Sequence, residues 1–307
     1  MVVIESKLGK DSSKLILLFG VGLIGESILQ EFDKQFSCTF HQFPFSWGKE
    51  DAQIGELNQI KEFIFARGKG VAIQLIWSAG KGGFFSTDSD FQIEFADFER
   101  VLNWLQQALI PQNSCSFHLF SSAGGLFEGQ VLVNEQSKPK PMRPYGHWKL
   151  KQEDLLNRSE GLVNRIIYRP STVYGYSPKA RIGLIAKLLI CANKNQFIEI
   201  FASKTALRDY IYVGDIAKFV VAKIENSDLS SLKLGTTQIN WLISGKSSNI
   251  LEICTKVSEL INKPVLNSFR LVLDNSLDNT FNAKLKPKEL AISPIEMGLR
   301  KIFQTLK

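Results

Sequence analysis

Residues 15–25 read LILLFGVGLIG, and this stretch decides the fold. LILLF is a continuous apolar run, which is typical of a β-strand that is buried on both faces of a parallel sheet. Gly20, Gly22 and Gly25 follow with the spacing G-x-G-x-x-G, and the apolar residues after them recur at helical intervals. The stretch therefore predicts a strand, a tight glycine turn and a helix, in that order.

The three glycines of such a turn have separate physical roles. The first permits the tight turn, the second lets the backbone approach a pyrophosphate, and the third lets the helix and the strand pack closely. The helix N-terminus, which includes Leu23 and Ile24, then directs its free amides at the phosphates. We therefore predict dinucleotide binding here, in preference to a plain strand–helix connection that happens to be rich in glycine.

Strands and helices alternate from this turn to about residue 170. Apolar runs at 37–43, 70–80, 114–125 and 162–170 predict strands, and helical periodicity is clearest at 95–110. This alternation predicts an α/β fold with a doubly wound, Rossmann-like parallel sheet.

The second half of the chain is less regular, and we expect a two-part organisation. Residues 1–170 are predicted to form the dinucleotide-binding domain. Residues 171–307 are predicted to form a smaller α/β part that mainly binds substrate, with 207–226 packing back on the first domain.

Composition narrows the class of protein. The 307 residues are 44% hydrophobic and carry a net charge of +7 without a dense basic run, so nucleic-acid binding has no support from a motif. No apolar run approaches the ~18–20 residues of a membrane span. Four cysteines and three histidines are scattered, which argues against a metal site or a disulfide framework. We expect a soluble cytoplasmic protein that binds no metal.

Tyr145 and Lys149 have the spacing Y-x-x-x-K, which places both on one face of a helix. A nearby ammonium, together with the positive charge of a nicotinamide, favours the phenolate and is expected to lower the tyrosine pKa from ~10. Ser121 and Ser122 end an apolar strand, where doubly wound folds hold their ligands. A serine hydroxyl there can hold a substrate oxygen while Tyr145 transfers a proton. Alone, each motif also fits a surface pair or a helix cap.

The adenosine end of the predicted cofactor site lacks one feature. A carboxylate usually follows the second strand and binds the ribose hydroxyls. Here residues 41–51 read HQFPFSWGKED, and Glu50 and Asp51 come late. Lys49 and His41 can instead meet a 2′-phosphate, so we expect NAD or NADP with a lean towards NADPH.

Taken together, these motifs resemble the extended branch of the short-chain dehydrogenase/reductase superfamily, the NAD-dependent epimerase/dehydratase group. The resemblance extends over nearly the whole chain. The matching segments are FGVGLIG at 19–25, WSAG at 77–80, FSSAGGLFEG at 120–129, YGHWK at 145–149, RPSTVYG at 169–175 and LRDYIYVGDIA at 207–217.

The resemblance implies catalytic roles. Ser122 would orient the substrate oxygen, Tyr145 would act as acid and base, and Lys149 would activate it. Phe127-Glu128 departs from the Tyr-Gly that is common in the group, so the hydroxyl's register stays open and Ser121 is the alternative.

The resemblance also implies binding roles outside the glycine turn. Ser78 and Ala79 would line the cofactor, and Pro170 would lie beside the nicotinamide. Arg208 would contact the diphosphate of a nucleotide-activated sugar, for which a guanidinium fork is well shaped. A homodimer is implied through helices near the Y-x-x-x-K segment, including 95–110.

Three reactions are typical of the group: ketone reduction, epimerisation and dehydration. Dehydratases of the group carry an acidic pair after the catalytic hydroxyl, whereas Ala123-Gly124 follows Ser122 here. We therefore expect the NAD(P)H-dependent reduction of the 4-keto group of a nucleotide-activated deoxysugar, such as a dTDP-4-dehydro-6-deoxyhexose, for surface polysaccharides. An NAD-dependent nucleotide-sugar 4-epimerase and a non-catalytic cofactor-binding sensor remain the alternatives.

Overall fold

The computed structural model describes residues 1–8, 12–80, 82, 86–226, 235–270 and 277–306. The strands in chain order are β1 (Val2–Leu8), β2 (Ser12–Phe19), β3 (Cys38–Gln42), β4 (Ala72–Trp77), β5 (Ser114–Phe120), β6 (Asn164–Pro170), β7 (Thr172–Tyr174), β8 (Ile198–Phe201), β9 (Arg208–Tyr212), β10 (Thr236–Leu242), β11 (Ser247–Ser248) and β12 (Asn267–Arg270). The helices are α1 (Leu23–Gln35), α2 (Glu50–Phe65), α3 (Asp88–Trp104), α4 (Ala123–Leu126), α5 (Pro144–Arg158), α6 (Leu184–Asn193), α7 (Val213–Glu225), α8 (Ile250–Ile261) and α9 (Ile295–Thr305). A π-helical turn, Leu105–Leu109, continues α3, and a 3-10 turn spans Ala283–Leu285.

Seven of these strands form one sheet in the order β10-β6-β5-β4-β2-β1-β3. The pairs from β2 through β4, β5 and β6 to β10 are all parallel. The exception is β1, which lies between β2 and β3 and is antiparallel to both, so that Val3 pairs with Leu17 on one side and His41 on the other. β1 was not predicted from the sequence, because VVIESKL mixes apolar and charged residues without a turn motif.

Helices cover both faces of this sheet, which confirms the predicted doubly wound α/β fold. Leu15, Leu17 and Phe19 of β2 point towards α2, α3 and α5, while Ile16 and Leu18 point towards α1 and α7. All five side chains are at most 2% exposed. The unbroken apolar run LILLF is thus explained by burial on both faces.

The helix predicted at 95–110 begins earlier than its apolar pattern indicates. Its first residue is Asp88, because Thr87 and Asp90 form a capping box in which each side chain accepts from the other's backbone N–H, at 3.4 and 3.0 Å. Such a box satisfies two amides that the helix itself leaves unpaired. The α-helix ends at Trp104, where the π-helical turn starts.

The C-terminal half contributes both to the main sheet and to a smaller unit. The predicted helix within 207–226 is α7, which packs against α1, and β10 extends the main sheet beside β6. The helices α6, α8 and α9 share a separate apolar core that includes Leu188, Ile253 and Leu299. This core lies on the side of the sheet where the chain leaves β6.

The described part of the chain has no helix long and apolar enough to cross a bilayer. The four cysteines are free thiols. Among the same residues, no group of three His, Cys, Asp or Glu side chains is arranged to hold a metal ion.

Candidate active site

The glycine turn between β2 and α1 is tightly packed at two of its three glycines. Gly20 has φ +95°, and a Cβ there would lie 2.3 Å from the backbone N of Ala79. A Cβ on Gly25 would lie 2.1 Å from the carbonyl O of Gly20. Both distances are far below van der Waals contact, so only glycine fits at these positions.

Gly22 is different, because a Cβ there would meet nothing within 4 Å. It is the exposed N-cap of α1, and no side chain caps the helix. Leu23 and Ile24 are the first two residues of α1, so their backbone N–H groups lie directly after Gly22. Open space before an uncapped helix N-terminus is what a pyrophosphate requires, so the residues present fit a dinucleotide.

Ser78 and Ala79 follow β4 and close the turn from the other side. The Ser78 hydroxyl donates to the carbonyl O of Gly20 at 2.7 Å, and the Ser78 backbone N–H donates to the carbonyl O of Phe19 at 2.9 Å. These bonds hold the glycine turn against the end of β4. The structure therefore gives Ser78 a positioning contact at the predicted cofactor wall.

Ser122 and Tyr145 meet at the carboxyl end of β5. Ser122 is the N-cap of α4, where its hydroxyl accepts from the Gly125 N–H at 3.0 Å, and it is also hydrogen-bonded to Tyr145. A Cβ on Gly125 would lie 2.8 Å from the Tyr145 ring. The cap and the predicted site residue are thus the same serine, and the lack of a side chain at Gly125 lets the ring approach.

Ser121 occupies a different environment. Its side chain is 3% exposed, and its hydroxyl has no hydrogen-bond partner among the described residues. Its backbone N–H donates to the carbonyl O of Tyr168 at 2.8 Å. Of the two serines left open by the sequence, Ser122 is the one bonded to Tyr145.

Lys149 lies one turn after Tyr145 on α5 and is 8% exposed. Its ammonium donates to the carbonyl O of Phe120 at 3.0 Å and to Oε1 of Gln152 at 3.1 Å. Burial lowers the pKa of Lys149 to about 8, against the opposing effect of Glu94 and then Glu153. The group therefore stays largely protonated at neutral pH.

The expected lowering of the Tyr145 pKa relied in part on the positive charge of the nicotinamide, and the chain by itself does not produce it. Burial raises the pKa of this phenol, the Ser122 hydrogen bond lowers it, and the negative charge of Glu94 raises it further. Burial outweighs the hydrogen bond because removal from water disfavours the charged phenolate. The Lys149 ammonium donates to the Phe120 carbonyl and to Gln152, and burial keeps the phenol in its neutral form.

Pro170 and Arg208 lie on two strands of the second half of the chain. Pro170 ends β6 and is buried, while Arg208 begins β9 and forms a bridge with Asn279. Asn279 in turn donates to the carbonyl O of Phe127, directly after α4, at 2.5 Å. The structure thus brings Arg208 to the end of the segment that starts at Ser122.

A buried ion pair near Arg208 was not predicted. Arg143 Nη2 lies 2.7 Å from Glu128 Oε1, and the side chains are 13% and 3% exposed. Burial lowers the pKa of Arg208, while Tyr210 and then Glu128 act to raise it and Arg143 acts to lower it. In this sequence Phe127-Glu128 replaces the Tyr-Gly that is common in the group. That replacement was the sequence feature from which the Arg143–Glu128 ion pair could have been predicted.

Residues 38–49 contain no carboxylate, so no acid directly follows β3 at the adenosine end. β1 takes the position beside β2, so β3 lies one strand farther from the glycine turn. The segment after β3 returns towards the turn, and the ring of Phe45 packs against that of Phe19 with centroids 5.1 Å apart. His41 lies 3.2 Å from Glu5 on β1, which occupies its imidazole. Lys49 is exposed at the N-cap of α2. Of the two candidates for a 2′-phosphate, Lys49 is the one that is exposed and has no acidic partner among the described residues.

Comparison with known proteins places the chain in a family. A sequence profile of the NAD dependent epimerase/dehydratase family matches residues 75–233, slightly more than half of the chain. A putative UDP-glucose 4-epimerase of Methanocaldococcus jannaschii is 37% identical over 108 residues, which are 33% of this chain and 35% of that protein. The match thus spans about a third of the length of this curated relative.

Solved structures share the fold over nearly the whole chain. Thermus thermophilus UDP-glucose 4-epimerase in complex with NAD has a TM-score of 0.71 at 19% identity, covering 94% of this chain and 97% of its own. RMD from Pseudomonas aeruginosa, complexed with NADPH, has a TM-score of 0.69 at 18% identity with the same coverage. MoeE5 in complex with UDP-glucuronic acid and NAD has a TM-score of 0.71 at 16% identity, covering 95% and 99%.

Proposed function

Because this chain belongs to the NAD-dependent epimerase/dehydratase family, we propose that it is an enzyme that reduces the 4-keto group of a nucleotide-activated deoxysugar with NAD(P)H. The observation that carries the proposal is the Ser122–Tyr145 hydrogen bond with protonated Lys149 one helical turn away. A neutral phenol at the end of a strand is suited to donate a proton to a carbonyl oxygen.

We assign the roles as follows. Ser122 binds the substrate carbonyl oxygen, and Tyr145 donates its phenolic proton to that oxygen as the carbonyl carbon is reduced. Lys149 supplies a fixed positive charge that stabilises the phenolate left on Tyr145. Reduced nicotinamide, when bound, supplies the hydride. The phenolate regains its proton from water, which completes the proton balance.

The cofactor is held by the glycine turn in this proposal. Gly22 admits the pyrophosphate, and the first amides of α1 donate to it. Pro170 lies beside the nicotinamide, and Arg208 binds the substrate diphosphate. The preference for NADPH rests on the lack of a ribose-binding acid in 38–49 and on the exposed Lys49. Relatives of both kinds exist, since solved neighbours contain NAD or NADPH.

The proposal is tested by following NAD(P)H absorbance with a panel of nucleotide-linked 4-keto sugars. We expect oxidation of the reduced cofactor with at least one of them, and NADPH to serve at least as well as NADH. Absence of oxidation with the whole panel would contradict the reductase assignment.

A 4-epimerase is the second candidate, because the matched relative and several solved neighbours are named as UDP-sugar 4-epimerases. An epimerase must retain its NAD between turnovers. Stoichiometric NAD in the purified protein after gel filtration, together with interconversion of UDP-hexoses without added cofactor, would favour it over the reductase. A non-catalytic sensor would bind cofactor and turn over neither class of substrate.

We also propose a homodimer that is formed through α3 and its neighbour α5. On α3, Phe98, Val101 and Leu102 are buried against the sheet, whereas Ile93 is 54% exposed and remains available for a second subunit. Light scattering should give twice the 34.5 kDa chain mass, and Ile93→Lys should shift the population towards the monomer. A monomer at micromolar concentration would contradict the proposal.

A further inference from the structure

Glu94 lies beside the Tyr145–Lys149 pair, although no motif identified it. Glu94, Tyr145 and Lys149 line the same small pocket, which has a volume of about 10 Å³. Phe91, Trp148 and Gln152 form the rest of its wall. A space of this size accommodates about one water molecule, so the carboxylate and the pair share one small site.

The carboxylate is held in place by the backbone that follows β4. The Gly82 N–H donates to Glu94 Oε1 at 2.7 Å. Glu94 itself is half-buried on α3, which packs against α5. A backbone amide fixes one oxygen of the carboxylate, and the negative charge is consequently maintained at a constant position relative to α5.

Other charged groups lie near the pair. Asp88 on α3 accepts from Trp148 Nε1 at 2.7 Å, and the Lys151 ammonium on α5 lies 3.6 Å from the centroid of the Trp148 ring. On α5, Glu153 accepts from Arg169 of β6 at 3.0 and 2.6 Å, which neutralises it locally. The contact from β5 is the Phe120 carbonyl, and that from α4 is the Ser122 hydroxyl. Glu94 is thus the carboxylate whose charge acts on both groups, and it favours the protonated form of each.

We propose that Glu94 is a positioning residue that keeps the protons on Tyr145 and Lys149, so that the pair donates a proton to a carbonyl in preference to taking one from an alcohol. The inference deepens the proposed reductase function and rests on it for the identity of the carbonyl. In the forward step the Tyr145 O–H bond breaks and the new O–H bond forms on the substrate. A phenolate is left beside the Lys149 ammonium, and water reprotonates it.

The inference is tested on the cofactor-free protein, without turnover. Lysine labelled with ¹³C at Cε is titrated by NMR, and Lys149→Met identifies the Lys149 signal. We expect a wild-type midpoint near pH 8 and a midpoint about one pH unit lower in Glu94→Gln, because a neighbouring opposite charge shifts a pKa by about that amount. The amide oxygen of glutamine can still accept from Gly82, so this variant removes charge and keeps the hydrogen bond.

Two further variants separate charge from structure. Glu99→Gln, at an exposed position of the same helix, should leave the Lys149 midpoint unchanged. Glu94→Ala removes the charge and the hydrogen bond, so its midpoint should match that of Glu94→Gln. An unchanged midpoint in Glu94→Gln, or an equal shift in Glu99→Gln, would overturn the inference.

A kinetic readout distinguishes this inference from the proposed function. In Glu94→Gln, the alkaline limb of the reduction rate should move to lower pH, because Tyr145 loses its proton more easily. A shifted Lys149 midpoint with an unmoved alkaline limb would overturn the role of Glu94 in proton donation. If no nucleotide sugar is turned over, the proposed function fails, and the NMR titration still decides whether Glu94 sets the protonation of Lys149.

Discussion

The two ends of the predicted cofactor cleft are built in different ways. At the catalytic end, Ser122 follows the parallel strand β5, and Tyr145 and Lys149 lie on α5. Hydrogen bonds of 3.0 Å hold Ser122 to the Gly125 N–H and Lys149 to the Phe120 carbonyl at the end of β5. At the adenosine end, the antiparallel strand β1 lies beside β2. In the usual parallel order that position belongs to the second strand, which a ribose-binding acid follows. Local motifs therefore specify the catalytic end, whereas the order of strands determines the adenosine end.

The largest expected effect is at the catalytic end. Tyr145→Phe should lower kcat for keto-sugar reduction by about 10²–10⁴-fold, because general acid catalysis contributes that much. Cofactor affinity and thermal stability should stay close to wild type, since the ring remains in place. The measurement is steady-state kinetics with a thermal melt. Full activity in this variant would exclude Tyr145 as the proton donor.

The glycine turn lies between the catalytic end and the adenosine end of the cleft, and alanine substitutions at Gly25 and Gly22 form a matched pair of variants there. Gly25→Ala should destabilise the protein by about 1–3 kcal/mol, as overpacking of a filled site does, because its Cβ would lie 2.1 Å from the Gly20 carbonyl. Gly22→Ala should leave the melting temperature of the cofactor-free protein unchanged, since its Cβ meets nothing within 4 Å. It should instead reduce the rise in melting temperature that added cofactor causes. Equal destabilisation by both variants would contradict the assignment of Gly22 to the pyrophosphate.

Arg208 tests the substrate side of the catalytic end. Arg208→Met should raise KM by about 10–100-fold, since a hydrogen bond to a charged group contributes about 1.5–3 kcal/mol. kcat should change much less, because the contact is made in both the ground state and the transition state. Arg270→Met is the control, as this arginine pairs with Glu199 and is 69% exposed. A fall in kcat at constant KM would instead place Arg208 at the reacting atoms.

The smallest effect is expected at the adenosine end. Lys49→Glu should weaken NADPH binding by roughly two- to five-fold, the range of a single exposed charge near a helix terminus, and should change NADH binding less. His41→Gln should alter neither affinity, because His41 is paired with Glu5. Fluorescence titration of both cofactors provides the measurement. Tighter NADH than NADPH binding in the wild type would show that the missing acid does not set the preference.

The features that could be predicted from the sequence are those set by residues close together along the chain. Strand β2, the glycine turn, α5 with Tyr145 and Lys149, and the parallel sheet all follow from local periodicity. Three features escaped it for physical reasons. β1 has no distinguishing pattern, and its position depends on pairing with two distant strands. Glu94 reaches the site only because α3 packs against α5. The raised pKa of Tyr145 comes from burial, which is a property of the folded chain.

The most direct test of proton and hydride transfer at Tyr145 uses NADPH deuterated at nicotinamide C4. The protein is incubated with a nucleotide-linked 4-keto sugar, and mass spectrometry measures deuterium in the product sugar. The account predicts one deuterium at C4 of the sugar per NADPH oxidised, and a product yield at least about 100-fold lower with Tyr145→Phe. Product without deuterium, or undiminished transfer in Tyr145→Phe, would contradict it.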